Sequence, residues 1–317
     1  MRSWHLFLSI SAGLLLSAIA WAQAPEGSAG AVSATRAVPE PNYKYVLAPK
    51  PVGLSPWVVP NRPHWKLAEI LKAHTGQKSW TQPLVRDKDH IADYIQMAPG
   101  ETSKVRMYAQ TSMFWIVEAG RMRVFIEGQE PFIASKGFVV WVPYRTPFHM
   151  ETFGDEPSLR FEVTRAGAPA LYALDEKPPP LKGQKYIKVA YVGAPGSYGA
   201  ATKPYVDFNT EIIQQGGNNL RFLAEGNFLR GKAIPMPPDS DKGHFHTDHN
   251  EFWFMMEGQT NFKIEGLPAF TADEGDVVYA PHGRFHRPSF AGTGMSTRLS
   301  VAPNGNLAAL DPDNPSR

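Results

Sequence analysis

Cysteine is absent from all 317 residues. No disulfide can staple this chain, no thiolate can serve as a nucleophile, and no lipid can be attached to a cysteine at an export cleavage site. An excess of charge is missing too. The 32 basic and 30 acidic residues leave a formal net charge of +2, which gives no electrostatic footprint for nucleic acid or an anionic membrane surface. There is no glycine-rich phosphate loop and no Gly-x-Ser-x-Gly elbow, so nucleotide use and serine-hydrolase chemistry have no support. The N-terminal apolar run, Leu6 to Ile19, is about 14 residues, short of the roughly 20 that a membrane-spanning helix needs.

What the chain has instead is turn-forming residues, 29 Pro and 27 Gly, on a background of 43% hydrophobic and 12% aromatic residues. That mixture suits many short strands joined by turns. Arg2, the apolar run and the small-residue site Ala20-Trp21-Ala22 predict a cleavable export signal over residues 1–22, with cleavage after Ala24 as a second choice. The expected location is the periplasm or the outside of the cell, where a cysteine-free fold is at no disadvantage. Residues 23–62, rich in Ala, Pro, Gly and Ser, read as a flexible leader. Trp65, Leu67, Ile70 and Leu71 then sit at helical intervals.

The sequence repeats itself at a constant offset of 138 residues. Phe114-Trp115 matches Phe252-Trp253, Gly120 matches Gly258, and Ile126-Glu127-Gly128 matches Ile264-Glu265-Gly266. Gly137, Val139-Val140, Pro143 and Arg160 match Gly275, Val277-Val278, Pro281 and Arg298, with no gap. Register held over such a length predicts two copies of one β-rich domain. The expected boundaries are 63–165 for the first copy, 166–205 for a linker, 206–302 for the second copy and 303–317 for a loose tail. In the strand after Glu251, Trp253 and Met255 should face inward. Phe252, Phe254 and Met256 then form an apolar outer face that the sister domain should cover.

Chemistry concentrates in the second copy. His244 and His246 are two apart, so on a strand they share a face, and Glu251 returns after a short turn. His286 follows the turn Pro281-His282-Gly283. Three imidazoles and a carboxylate suit one divalent transition metal (Fe, Mn, Ni, Zn or Cu) with coordination positions left for substrate or water. His249, between these ligands, reads as a general base, a fifth ligand or an exposed loop histidine. Arg284 reads equally as an orienter of a substrate carboxylate or as a solvated surface arginine. In the first copy Arg106, Tyr108, Met113 and Phe148 stand at the four ligand positions. His149 is one residue out of step, so this copy should hold no metal. A packed interior is the better expectation there, and an anion pocket at Arg106 and Tyr108 is the alternative. Arg160 and Arg298, retained in both copies, read as structural.

These motifs, His244-x-His246 with Glu251 and Gly258, then Gly275, Pro281, Gly283 and His286, resemble those of the cupin superfamily. The duplication resembles a bicupin with its metal motif in the C-terminal copy only. The resemblance implies an all-β fold of two tandem antiparallel jelly-roll barrels with a few short helices. It departs at the missing Gly ahead of His244 and the missing Asn after His286, neither of which is a ligand. As expectations, the protein is a metal-dependent enzyme on a small organic acid or a phenolic or keto substrate, a dioxygenase by slight preference. A redox-neutral lyase, isomerase or decarboxylase is the first alternative, and a non-catalytic metal- or sugar-binding bicupin the second. The expected partner is a small molecule, with no nucleic acid, no membrane after export, and self-association left open.

Overall fold

The structure, a computed structural model, describes residues 45–199, 202–213, 221–225, 230–235, 242–292, 296–303 and 307–311. The expected export signal, residues 1–22, lies outside these residues. Strands dominate, and they pair antiparallel throughout. Two six-stranded sheets form the centre. The first places Met113–Ala119 between Phe138–Val142 and Ser158–Arg165, with His90–Met97 and Trp80–Arg86 beyond. The second places Glu251–Glu257 between Val277–Ala280 and Thr297–Ala302. A five-stranded sheet closes the first barrel and a three-stranded sheet the second.

The repeat is visible atom by atom. Gly137 N–H donates to Val117 O at 2.9 Å, and Gly275 N–H donates to Met255 O at 2.9 Å. Glu127 N–H donates to Pro147 O and Glu265 N–H to Phe285 O, at 2.9 and 2.8 Å. Gly120 and Gly258 share φ of +68°, a backbone that only glycine adopts without strain. A side chain at Gly120 would also meet the Pro157 carbonyl oxygen at 2.2 Å.

The alternating strand pattern fills both faces of the central sheets. Trp253 and Met255 pack inside the second barrel with Phe262, Ile264 and Val278. Phe252, Phe254 and Met256 lie on the other face, in one cluster with Tyr94, Phe114, Ile116, Phe161 and Val163 of the first barrel. Phe161 stacks on Phe254 at 4.9 Å. Each such ring contributes roughly 1.5–3 kcal/mol on leaving water, so this seam is a true core between the barrels.

The boundaries differ from those read in the sequence, because each barrel borrows a strand. His64–Trp65 pairs with Val277–Val278 of the second barrel, although it opens the expected first copy. Tyr205–Asp207, at the junction of the expected linker and second copy, pairs with Phe138–Val140 of the first. The helix Leu67–Ala73 follows the first exchanged strand. Its Leu67 N–H is capped by Asp276 Oδ1 at 2.9 Å, and Asp276 Oδ2 accepts from His64 Nε2 at 2.6 Å. The end of the expected leader is also docked, since Trp57 Nε1 donates to Tyr279 O and Lys50 pairs with Glu265 at 2.9 Å. No helix among the described residues is long and apolar enough to cross a membrane.

Candidate metal centre

The four predicted ligands converge. His244, His246, Glu251 and His286 each offer a ligand atom, all within 4.8 Å of one another. Two local features bring them together. His244 and His286 exchange backbone hydrogen bonds of 3.0 and 2.8 Å, which sets their rings 4.6 Å apart. Glu251 opens the central strand Glu251–Glu257, where it pairs with Ala280. Its Oε2 lies 2.8 Å from His246 Nε2, 3.2 Å from His286 Nε2 and 3.6 Å from His244 Nε2. Only His244 is partly open, with its side chain 20% exposed.

Neighbouring groups fix the ring tautomers. His246 Nδ1–H donates to Leu307 O at 2.9 Å, and His286 Nδ1–H donates to Arg284 O at 3.0 Å. Each neutral ring therefore turns an Nε2 lone pair inward. His286 Nε2 is buried with no hydrogen-bond partner. The Ser300 hydroxyl donates to Glu251 Oε1. Burial opposes ionisation of Glu251, yet the three imidazoles hold it well below the usual carboxylate range. Burial pushes His286 down to about 4. For His246 burial acts downward as well, but Glu251 wins and raises it. Lone pairs aimed at one carboxylate oxygen are satisfied together only around a cation, so this donor set fits a divalent transition metal.

His249 is 3% exposed, which overturns the exposed-loop reading. Its ring lies 4.1 Å from that of ligand His246, and its Nδ1 pairs with Asp248 Oδ1 at 2.8 Å. It is not among the converging ligands. Arg284 is buried rather than solvated. Its Nε donates to Ser55 O and its Nη1 to Glu265 O, both at 2.6 Å, while its guanidinium lies 3.9 Å above the Trp57 ring. Those contacts commit it to the N-terminal segment. His282 is exposed, and its N–H donates to Asn250 Oδ1.

The ligand positions of the first barrel are filled by a packed interior. Tyr108, Met113 and Phe148 join its apolar cluster. Arg106 Nη2 donates to both oxygens of Glu162 at 2.9 and 3.1 Å, and Arg160 Nε to Glu162 Oε2 at 2.8 Å. A buried partner for Arg106 removes the basis of the anion-pocket alternative. The sequence reading missed Glu162, which no motif marks. It also missed the tail: Phe245 and Ala309 exchange backbone hydrogen bonds of 3.1 and 2.9 Å, so residues expected to be loose hold the ligand strand.

Sequence comparison finds no matching family model and no matching curated protein. Solved structures do match. A salicylate 1,2-dioxygenase from Pseudaminobacter salicylatoxidans aligns with TM-score 0.56 at 11% identity, over 75% of this chain and 82% of that one. A cupin 2 conserved barrel domain protein from Leptotrichia buccalis aligns with TM-score 0.51 at 10% identity, over 76% and 96%. The fold is that of a bicupin, with a site for one divalent metal in its C-terminal barrel.

Proposed function

We propose that this protein is an exported, mononuclear metalloenzyme that acts on a small hydroxy-aromatic or keto acid, with dioxygenase chemistry as the leading reading. The observation that carries it is the donor set: three imidazoles with fixed tautomers and one carboxylate, buried except at His244. A complete and oriented ligand set is more than a scaffold requires. A divalent metal held there supplies Lewis acidity, and a redox metal also supplies electrons for dioxygen chemistry. The structural likeness to a salicylate dioxygenase favours the oxygenase arm; at 11% identity it speaks to fold first.

The chain's own residues do the rest. Leu307 O and Arg284 O hold the rings of His246 and His286, and Ser300 holds Glu251. Asp248 keeps the proton of His249 on Nδ1, so Nε2 is its basic atom, placed beside a ligand ring. We assign it the holding of a proton in the reaction.

Metal counted per chain in protein recovered from its own compartment is the first test, followed by oxygen uptake with hydroxybenzoates and keto acids. One iron or copper with substrate-dependent oxygen uptake supports the oxygenase. One zinc, manganese or nickel with substrate turnover and no oxygen uptake moves the assignment to a lyase, isomerase or decarboxylase. No metal sinks the enzyme reading. The mature N-terminus, read by sequencing, checks export. His246→Ala should bring metal content near zero with the first barrel folded, and full retention would overturn the ligand assignment.

A further inference from the structure

Residues 50–57 form no helix or strand. Pro51, Gly53 and Pro56 interrupt them, and neither proline has an N–H for a ladder. What holds the segment is a set of contacts that converge on the approach to ligand His286. Arg284 Nε donates to Ser55 O at 2.6 Å, and its guanidinium lies 3.9 Å above the Trp57 ring. Lys50 Nζ pairs with Glu265 Oε2 at 2.9 Å, and the same oxygen accepts the Phe285 N–H at 2.9 Å. The two residues that precede the ligand are thus both tied to this segment, Arg284 directly and Phe285 through Glu265. The fit is close at two glycines as well. A side chain at Gly283 would meet Pro51 Cδ at 2.6 Å, and one at Gly266 would meet Leu54 Cδ1 at 2.5 Å.

The first barrel differs at each of these points. At the 138-residue offset Thr146 stands for Arg284 and Pro147 for Phe285. Thr146 has no guanidinium, and Pro147 has no N–H to donate. Arg145 takes the place of Gly283. A side chain at Gly128, the match of Gly266, would meet nothing within 4 Å. The bracing therefore accompanies the ligand histidine and is not a general need of the barrel.

The last link is the ring of His286. Arg284 carries the carbonyl that accepts His286 Nδ1–H at 3.0 Å, so whatever fixes Arg284 also fixes where Nε2 points. That Nε2 lies 3.2 Å from Glu251 Oε2. A carbonyl can orient a ligating ring only as far as its own residue is held.

We propose that residues 50–57 brace the metal centre through Arg284, with Trp57 and Arg284 as positioning residues for ligand His286. The functional side of this rests on the proposed metal site, whereas the brace on the ring does not need the metal.

The test compares the whole protein with its Arg284→Met, Trp57→Ala and Trp57→Phe variants by two readouts. In the metal-free state, with ¹⁵N-labelled histidine, nuclear magnetic resonance follows exchange of the His286 Nδ1–H with solvent. In the cobalt(II)-loaded state, chelator competition reads affinity and the visible bands read ligand geometry. Arg284→Met and Trp57→Ala should speed the exchange by about 10-fold or more. They should also weaken cobalt binding by about 10–100-fold and shift the bands. Trp57→Phe, which keeps a ring face for the guanidinium, should restore all three. Trp57 is only half-buried, so its variants test the brace even where Arg284→Met does not fold. Parent exchange and parent affinity in Trp57→Ala overturn the proposal. So does an equal loss of affinity in Glu162→Gln, which would make the effect one of destabilisation alone. If the parent binds no cobalt, faster exchange in Trp57→Ala keeps the brace and sinks the metal reading, and unchanged exchange sinks both.

Discussion

Glu162 and Ser300 stand at the same point of their two barrels, each paired across the central sheet with a buried tryptophan, Trp115 and Trp253 respectively. In the second barrel Ser300 steadies the carboxylate that faces the three histidines. In the first, the carboxylate stands on this strand itself, and Arg106, at the position of His244, reaches it at 2.9 Å. A fixed guanidinium thus stands among the first barrel's equivalents of the metal ligands. One barrel gathers donors for a mobile cation, and the other has a covalently attached one.

Removing the anion from that triad leaves two buried arginines uncompensated. Glu162→Gln should destabilise the protein by about 3–5 kcal/mol, read as a lower midpoint in urea. Metal content per folded chain should stay that of the parent. Loss of metal from a folded Glu162→Gln protein would show that the first barrel sets the geometry of the second.

Deleting residues 303–317 removes Leu307 O from His246 Nδ1 and Ala309 from Phe245. Loss of the group that orients a ligating histidine weakens metal binding by about 10–100-fold. Chelator competition on the truncated protein measures this directly. Affinity equal to that of the full chain would mean that the tail only covers the site.

The ligand set was legible because imidazoles and carboxylates with a common target must recur at fixed spacings. The two-barrel plan was legible because Gly120, Gly137 and Pro143 repeat without a gap in the second copy. Leu307 was not legible, since its contribution is a carbonyl that every residue has. The exchanged strand His64–Trp65 is two residues long, too short for any alternation to show. Glu162 acts through a partner distant in the chain, Arg106, and no spacing announces it. Arg284 was open between two roles because stacking on Trp57 depends on where a segment some 230 residues away is docked.

Two buried carboxyls should each contribute less to stability as pH rises toward neutrality. Burial raises the Glu118 carboxyl to about 7, with Lys136 at 3.4 Å countering in part and Glu274 adding to the rise. Burial likewise raises Asp93 to about 6. A carboxyl whose folded value lies above its unfolded one near 4.5 binds an extra proton when folded. Its contribution is full below about 4.5 and is lost as pH climbs to 7. For Glu118 the amount is about 1–3 kcal/mol. His286, held down to about 4 when folded, works in the opposite direction and is common to the parent and Glu118→Gln, so the difference between them isolates Glu118. Between pH 5 and 8 the melting temperature of Glu118→Gln should gain on that of the parent, and it should be the higher at pH 8. A difference that does not change with pH would mean that Glu118 does not titrate in this window.

The exchanged strands make the connection between the barrels dispensable once the chain has folded. Residues 184–192 are exposed and, among the described residues, make no backbone–backbone hydrogen bonds after Gln184, and a side chain at Gly183 would meet nothing within 4 Å. A specific protease site inserted there should cut in the native state. The two pieces should nevertheless stay together, because His64–Trp65 remains in the sheet of the second barrel and Tyr205–Asp207 in that of the first. The Phe161–Phe254 stack and its neighbours also remain buried between them. Native mass spectrometry of the nicked protein should show one complex at the mass of the parent plus one water, with metal content unchanged. Separation into two folded barrels would mean that the exchange contributes little and that each repeat is complete without the other.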